Sequence, residues 1–266
     1  MPRSVLTRTL RDGFRSFVGF AAYIILMVAA IVAIYPSIGH NPSLNKLVKS
    51  YPGTLKAFLG FGGVVDYSTA TGYLGIELFS LVLPALMIAA AVAAGARAIA
   101  GEEEQQTLDL LLANPISRRR LVLEKAAAVA ALVMLLAVVA FASLAISTAA
   151  AGLNISTGHL AAAAAATGLL GLLYGSIALA IGAASGRRGL ALAVAGAAAG
   201  AAYIANALGS LVSALKPLRE ASPFYQYGTV DPLRHGLTFA HATPLAVGAI
   251  VLIAAAVTAF TRRDLT

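Results

Sequence analysis

Six long apolar stretches alternate with shorter polar segments along this chain. A helix rises about 1.5 Å per residue, so it needs about 20 mainly apolar residues to cross the hydrocarbon core of a bilayer, which is about 30 Å thick. The stretches that reach this length cover residues 17–35, 74–96, 122–150, 160–184, 190–215 and 244–260. The pattern predicts an all-α integral membrane protein, with residues 1–266 forming a single transmembrane domain of six transmembrane helices.

The composition points to the same class of protein. The chain is 59% hydrophobic and only 11% charged, with a mean hydropathy of +0.85. Ordinary globular domains are about a quarter charged, so these charges are too few to cover a soluble core, and lipid has to solvate the apolar excess. The chain has no cysteine, which excludes disulfides, thiolate metal sites and cysteine nucleophiles.

Lysine and arginine are distributed unevenly between the two sides of the predicted domain. One side carries 13 of the 19: Arg3, Arg8, Arg11, Arg15, Arg97, Arg118, Arg119, Arg120, Lys125, Arg187, Arg188, Arg262 and Arg263. Basic residues are retained on the cytoplasmic side, so we predict a multi-pass protein of the plasma membrane with both termini in the cytoplasm. This topology accounts for the net charge of +8, and we expect no nucleic-acid partner, because no basic domain stands apart from the membrane segments.

The residues before the first apolar stretch have the pattern of an amphipathic helix. Phe14 lies on an apolar face, whereas Arg8, Arg11 and Arg15 lie on another. Such a helix is typical of the headgroup layer, with arginines toward anionic lipid, although these arginines also suit a simple topology anchor. A signal peptide is the rival interpretation; an uncleaved helix is favoured because no small-x-small cleavage pattern follows the long apolar stretch.

Two further patterns concern packing. Glycines in the fourth and fifth stretches have the small-xxx-small spacing that lets helices approach closely, within one chain or between two. These pairs are Gly171 with Gly175, Gly182 with Gly186, and Gly196 with Gly200. On the outer side, Phe224, Tyr225 and Tyr227 predict either an aromatic belt at the membrane interface or a substrate exit gate.

Catalytic chemistry finds no support in the sequence. The four histidines are scattered, neither H-E-x-x-H nor G-x-S-x-G occurs, and no lysine follows a glycine as a phosphate-binding loop requires. We therefore expect no catalytic residue, no metal site and no cofactor on this chain. The predicted membrane interior is almost bare of ionisable residues, and no helix is obviously interrupted near its middle, which argues against an ion-coupled secondary transporter.

One polar segment between the second and third stretches is predicted to form a short cytoplasmic helix over residues 102–113. Its acidic residues suit a helix N-terminus, its leucines form an apolar stripe, and Ser117 can cap the following helix, which Arg118, Arg119 and Arg120 anchor at the inner surface. We expect a protein partner for the leucines, because anionic lipid would repel the acidic start. The proposed contact residues are Glu102, Glu103, Glu104, Leu108, Asp109, Leu111 and Leu112.

This segment carries a resemblance to a known family. Residues 102–118 read EEEQQTLDLLLANPISR and resemble the hallmark of permease subunits of type-2 ABC exporters, E-x-E-x-G-T-L-E-L-L-L-x-x-P-x-S-R. Gln106 stands where the family often has Gly, and Asp109 where it often has Glu. Residues 222–227 and 231–237 also look like the last outer loop of that family, so the resemblance spans the whole chain.

The resemblance implies a transmembrane permease subunit, and the apolar, uncharged path suits an amphiphilic substrate (drug, antibiotic, lipid or peptide) better than a bare ion. Two ABC ATP-binding subunits, which bind ATP and Mg, would power it, and a second permease chain, identical or related, would complete the path. Residues 102–113 would then be the coupling helix. Two alternatives stay open: a secondary transporter or channel without an ATPase, and a non-transporting membrane scaffold or sensor.

Overall fold

A computed structural model of the chain describes residues 5–39, 42–59, 68–107, 116–228 and 231–263. Six helices in it are long and apolar enough to cross a membrane: α1 (Val5–Ile38), α4 (Ala70–Glu104), α5 (Arg118–Ala150), α6 (Thr157–Ser185), α7 (Arg188–Gly209) and α11 (Phe239–Arg262). Short helices connect them: α2 (Pro42–Ser50), α3 (Gly53–Phe58), α8 (Lys216–Glu220), α9 (Pro223–Gly228) and α10 (Pro232–His235). The described ranges contain no strand, and the predicted all-α class with six membrane-length helices is confirmed.

Helix α6 lies at the centre of the bundle and packs against α4, α5, α7 and α11. Its contact with α4 is a backbone contact, since a Cβ atom at Gly95 would overlap the carbonyl oxygen of Gly175. The predicted close packing at Gly171 and Gly175 is therefore confirmed and lies within one chain. By contrast, a Cβ at Gly196 or Gly200 would meet no described atom within 4 Å, so these two glycines make no such contact here.

Helix α1 runs without a break from Val5 to Ile38. The predicted division into an interfacial helix and a spanning helix that begins at residue 17 is not seen. No proline lies near residue 17 to end the first segment, so helical geometry continues from one to the other. The buried positions Ile24, Val28 and Val32 recur every four residues and pack on α5.

Helix α4 is longer and less regular than predicted. It extends beyond the predicted residues 74–96 and contains π-helical turns at Gly75–Phe79 and Arg97–Gly101. Helical geometry is lost at Leu81, where φ is −141°, three residues before Pro84. Because proline has no N–H to donate, it bends helices, and the expectation of no interrupted helix was wrong at this point.

The predicted end of the fifth helix at residue 215 was also wrong. Helix α7 stops at Gly209, and a 3₁₀ turn at Ser213–Leu215 leads into α8, where Pro217 follows. The connection from α6 to α7 is as tight as the sequence predicts. Gly186 makes the turn with a positive φ of 66°, a conformation that glycine adopts without steric strain.

The bundle has two chemically different ends. The basic end comprises residues 5–15, 97–107, 116–125, 186–188 and 262–263, and the loop end comprises α2, α3 and α8 to α10. Hydrogen bonds join both termini of the described chain to the same end. The Leu6 N–H donates to Glu124 Oε2 (3.2 Å), and Arg118 donates to the carbonyl oxygen of Arg263 (2.7 Å).

Candidate functional site

The last turn of α4 places three glutamates at the basic end. The predicted helix that begins with these acids is therefore wrong in its start, because Glu102–Glu104 end a long helix instead of opening a short one. Carboxylates at a helix C-terminus are disfavoured by the helix dipole by about 0.3–1 kcal/mol each. Contacts with cations and N–H groups of other elements offset this, and each glutamate has a different partner.

Glu102 binds α5. The Lys125 ammonium donates to Glu102 Oε1 at 2.5 Å, and the Thr107 hydroxyl donates to Glu102 Oε2 at 2.9 Å. The Lys125 side chain is only 2% exposed, so the ammonium is almost fully removed from solvent. A charge buried to this degree needs a counter-charge, which Glu102 supplies.

Glu103 binds the end of α11. Both guanidinium nitrogens of Arg263 donate to its carboxylate, with Nη1 3.0 Å from Oε2, so the pair is bidentate. Arg118 at the start of α5 donates to the Arg263 carbonyl. The end of α11 is thus joined to α4 and α5 by charge-assisted hydrogen bonds, which are the stronger kind.

Glu104 binds the start of α7. Its Oε1 accepts a hydrogen bond from the backbone N–H of Arg188 at 2.9 Å. The first N–H groups of a helix have no partner within the helix and carry partial positive charge, so a carboxylate is favourable there. Three consecutive side chains of α4 therefore contact α5, α11 and α7.

The predicted coupling helix lies mostly outside the described residues, and so do its residues Leu108, Asp109, Leu111 and Leu112. Residues 105–107 and 116–117, which flank the segment on its two sides, both lie at the basic end. Gln106 turns the chain with a positive φ of 55°, and the Thr107 N–H donates to the Glu102 carbonyl at 2.9 Å. The predicted cap at Ser117 is confirmed, because its hydroxyl accepts from the Arg120 N–H at 3.3 Å.

The three arginines that follow differ in their contacts. Arg118 is bound to the Arg263 carbonyl, Arg120 lies 2.8 Å from Glu124 Oε1, and Arg119 is exposed. Their role as an anchor at the membrane surface stays a prediction. Glu124 also accepts the Leu6 N–H, so this carboxylate connects the start of α1 to α5.

The arginines of the predicted interfacial helix line a cavity of about 500 Å³ between α1, α4 and α5. Arg8, Arg11 and Arg15 border it from α1, while Phe14 is 58% exposed. Arg97 and Lys125 border it from α4 and α5. The sequence did not predict this cavity, nor that Lys125 and Arg263 pair with Glu102 and Glu103. A signal was present, since a lysine within an apolar stretch requires a nearby counter-charge.

The predicted aromatic gate lies at the loop end. Phe224 and Tyr227 are buried, an arrangement that a belt of rings at the membrane interface does not predict, and their role as a gate stays a prediction. Tyr225 is half-buried and lies under Arg219, 5.3 Å from ring centroid to guanidinium carbon. The Tyr227 hydroxyl donates to the Phe79 carbonyl at 2.8 Å, near the break in α4, and burial raises its pKa, so the hydroxyl keeps its proton.

Comparison with known proteins identifies the family. A family model described as "ABC-2 family transporter protein" matches residues 3–265, nearly the whole chain. No match was found among curated proteins. Members of this family are transporter membrane components that work with ABC ATP-binding subunits, which sets aside a channel or secondary transporter without an ATPase. With six helices of membrane-spanning length and a match over almost its full length, the chain belongs to the ABC-2 transporter family and is a permease subunit of an ABC transporter.

Proposed function

We propose that this permease is the membrane half of an ATP-driven exporter in the plasma membrane, with its basic end in the cytoplasm. Two copies of a separate ATP-binding subunit would bind ATP and Mg, and a second permease chain, identical or related, would complete the transport path. The orientation is supported by 13 of 19 basic residues on one side. The hallmark at residues 102–118 and the family match support the ATPase partner.

The observation that carries this proposal is the set of contacts made by Glu102, Glu103 and Glu104. Residues 105–117 join α4 to α5 along the chain, and the predicted coupling segment lies within them. Through the three carboxylates, the adjoining turn also contacts α11 and α7. A displacement of the last turn of α4 by an ATPase would therefore act on α5, α7 and α11 as well, which is the property that a coupling element needs.

The substrate is proposed to be an amphiphile such as a drug, an antibiotic, a lipid or a peptide. The support is the chemistry of the helices that would surround the path. Helix α6, at the centre of the bundle, contains no Asp, Glu, Lys or Arg, and Tyr174 is its largest fully buried side chain. Such a surface suits an apolar molecule with a small polar part better than a bare ion, which would lose its hydration without replacement.

The leucines of residues 108–113 give the direct test. We expect Leu111→Asp to weaken binding of the ATP-binding subunit at least about tenfold, because the substitution places an unpaired carboxylate in an apolar contact. The two chains would be co-expressed, purified through a tag on the permease in nanodiscs, and assayed for stoichiometry and ATP hydrolysis. Leu218→Asp is the matched control, because Leu218 is 55% exposed on α8 at the loop end.

Two results would contradict the proposal. Normal co-purification and ATP turnover with Leu111→Asp would remove these leucines from the interface. A complex that hydrolyses ATP but moves no amphiphile in sealed vesicles would indicate a non-transporting scaffold or sensor. Equal losses with Leu111→Asp and Leu218→Asp would show that a new charge disturbs the whole chain, and not the coupling segment.

A further inference from the structure

The cavity at the basic end contains an excess of positive charge. Five cations and two carboxylates line it: Arg8, Arg11, Arg15, Arg97 and Lys125, with Asp12 and Glu102. Its volume of about 500 Å³ is within the range of small-molecule sites, about 300–1,000 Å³. The three arginines on α1 follow one another at intervals of three and four residues, which places them on one face of the helix.

Both carboxylates are already paired. Glu102 binds Lys125 at 2.5 Å, and Asp12 lies 3.8 Å from Arg8 on the same helix. Arg97 donates to the neutral hydroxyl of Ser16 at 3.1 Å. Among the described residues, Arg11 and Arg15 have no carboxylate within ion-pair distance. Arg11, Arg15 and Arg97 thus line one cavity without a carboxylate partner. An anion placed there would relieve the repulsion between their guanidinium groups.

The walls of the cavity change from polar to apolar along α1. A separate narrow space of about 20 Å³ lies further along α1, lined by Phe17, Phe20 and Leu136. That space is too small for an acyl chain. A ligand with a charged head and apolar tails can therefore place only its head in the cavity. Its tails would lie outside the bundle, beside Phe14 and Val18, which are 58% and 46% exposed.

We propose that this cavity binds the phosphate headgroup of an anionic phospholipid from the leaflet at the basic end. Arginine binds phosphate oxygens through two parallel N–H groups, which favours it over lysine for this task. A free phosphate offers the same oxygens, but only a lipid also covers the exposed apolar side chains of α1. The placement in the inner leaflet rests on the orientation given under the proposed function, whereas the binding site itself does not.

Native mass spectrometry of the purified full-length permease tests this with three probes: dioctanoyl phosphatidylglycerol, dioctanoyl phosphatidylcholine and inorganic phosphate. We expect the anionic lipid to bind at least tenfold more tightly than the other two. An arginine near a membrane surface contributes roughly fivefold in affinity for anionic lipid, so Arg11→Gln with Arg15→Gln is expected to weaken binding by about 25-fold. Arg187→Gln removes one positive charge from an exposed position outside the cavity and is expected to change binding less than twofold, against about fivefold for Arg11→Gln or Arg15→Gln alone.

Further variants keep the result interpretable. Arg11 and Arg15 are exposed, so their loss is expected to leave the melting temperature unchanged. Arg11→Lys with Arg15→Lys is expected to bind the anionic lipid with an affinity between those of the glutamine variant and the unaltered chain, because lysine keeps the charge but not the paired N–H groups. Equal binding of the two lipids, or of the double glutamine variant and the unaltered chain, would overturn the proposal. Preference for inorganic phosphate over both lipids would assign the cavity to a soluble anion instead. None of these readouts requires the ATP-binding subunit, so failure here is distinguishable from failure of the proposed function.

Discussion

At the basic end, carboxylates of α4 bind cations and N–H groups of α5, α11 and α7, whereas at the loop end aromatic side chains of α9 fill the space beside α6 and α7. Tyr174 and Tyr203 lie 6.1 and 5.3 Å from the Phe224 ring, measured between centroids. The corresponding contacts at the other end are the ion pairs of Glu102 with Lys125 and of Glu103 with Arg263.

The difference matters for how each end can move. Burial of the aromatic rings is driven mainly by the hydrophobic effect, which is non-directional, so small rearrangements lose little, while separating the rings exposes apolar area and is costly. A buried ion pair contributes little net stability when intact, but its geometry is specific, and removing one partner is strongly destabilising. On the proposed function, displacement of the basic end by the ATP-binding subunit would therefore have to break defined ion pairs, whereas the loop end has no such pairs beside Phe224 among the described residues.

The largest expected effect comes from breaking the buried ion pair at the basic end. Glu102→Gln leaves the Lys125 ammonium, 2% exposed, without its counter-charge. We expect the free energy of unfolding to fall by about 3–5 kcal/mol, the usual loss for an orphaned buried charge. Titration with SDS in mixed micelles measures this change.

The matched control for Glu102→Gln is Glu104→Gln. Glu104 is exposed, and the amide oxygen of glutamine can still accept the Arg188 N–H, so the expected loss is under about 1 kcal/mol. Adding Lys125→Met to Glu102→Gln removes the orphaned charge and is expected to restore most of the stability. Equal losses for Glu102→Gln and Glu104→Gln would show that burial of the Lys125 pair does not distinguish this site.

An intermediate effect is expected at the loop end. Tyr227→Phe keeps the buried ring but removes the hydroxyl that donates to the Phe79 carbonyl at 2.8 Å. Loss of one partner of a buried hydrogen bond costs about 1–3 kcal/mol. The same titration measures it, with Tyr23→Phe as control, because the Tyr23 side chain is 51% exposed on α1. An effect as large as that of Glu102→Gln would contradict the distinction between the two ends.

The sequence was sufficient to predict the six long helices, because each one needs an apolar run that composition and spacing reveal directly. It was also sufficient for the cap at Ser117 and for close packing at Gly171 and Gly175, which depend on local chemistry. Boundaries were less predictable. The helix dipole favours Glu102–Glu104 at a helix start, yet they end α4, since Lys125 and Arg263 outweigh the local preference.

The candidate site was harder to predict because its parts are distant along the chain. Glu103 and Arg263 are 160 residues apart, and no local pattern connects them. The cavity has the same origin, since Arg15 and Arg97 approach each other only when α1 and α4 pack together. The roles assigned to Leu108, Asp109, Leu111 and Leu112 stay predictions that rest on the sequence hallmark.

The smallest expected effect concerns an ion pair at the loop end. Lys216 and Glu220 lie 3.8 Å apart on α8, with side chains 70% and 50% exposed. Glu220→Gln is expected to change the free energy of unfolding by less than about 0.5 kcal/mol, because water screens the pair and replaces it when it is lost. The substitution keeps the backbone carbonyl of residue 220, which accepts a hydrogen bond from the Gln226 side chain, so only the charge is removed. A loss near that of Glu102→Gln would mean that charge pairs matter equally at both ends, and burial would no longer explain why the basic end depends on them.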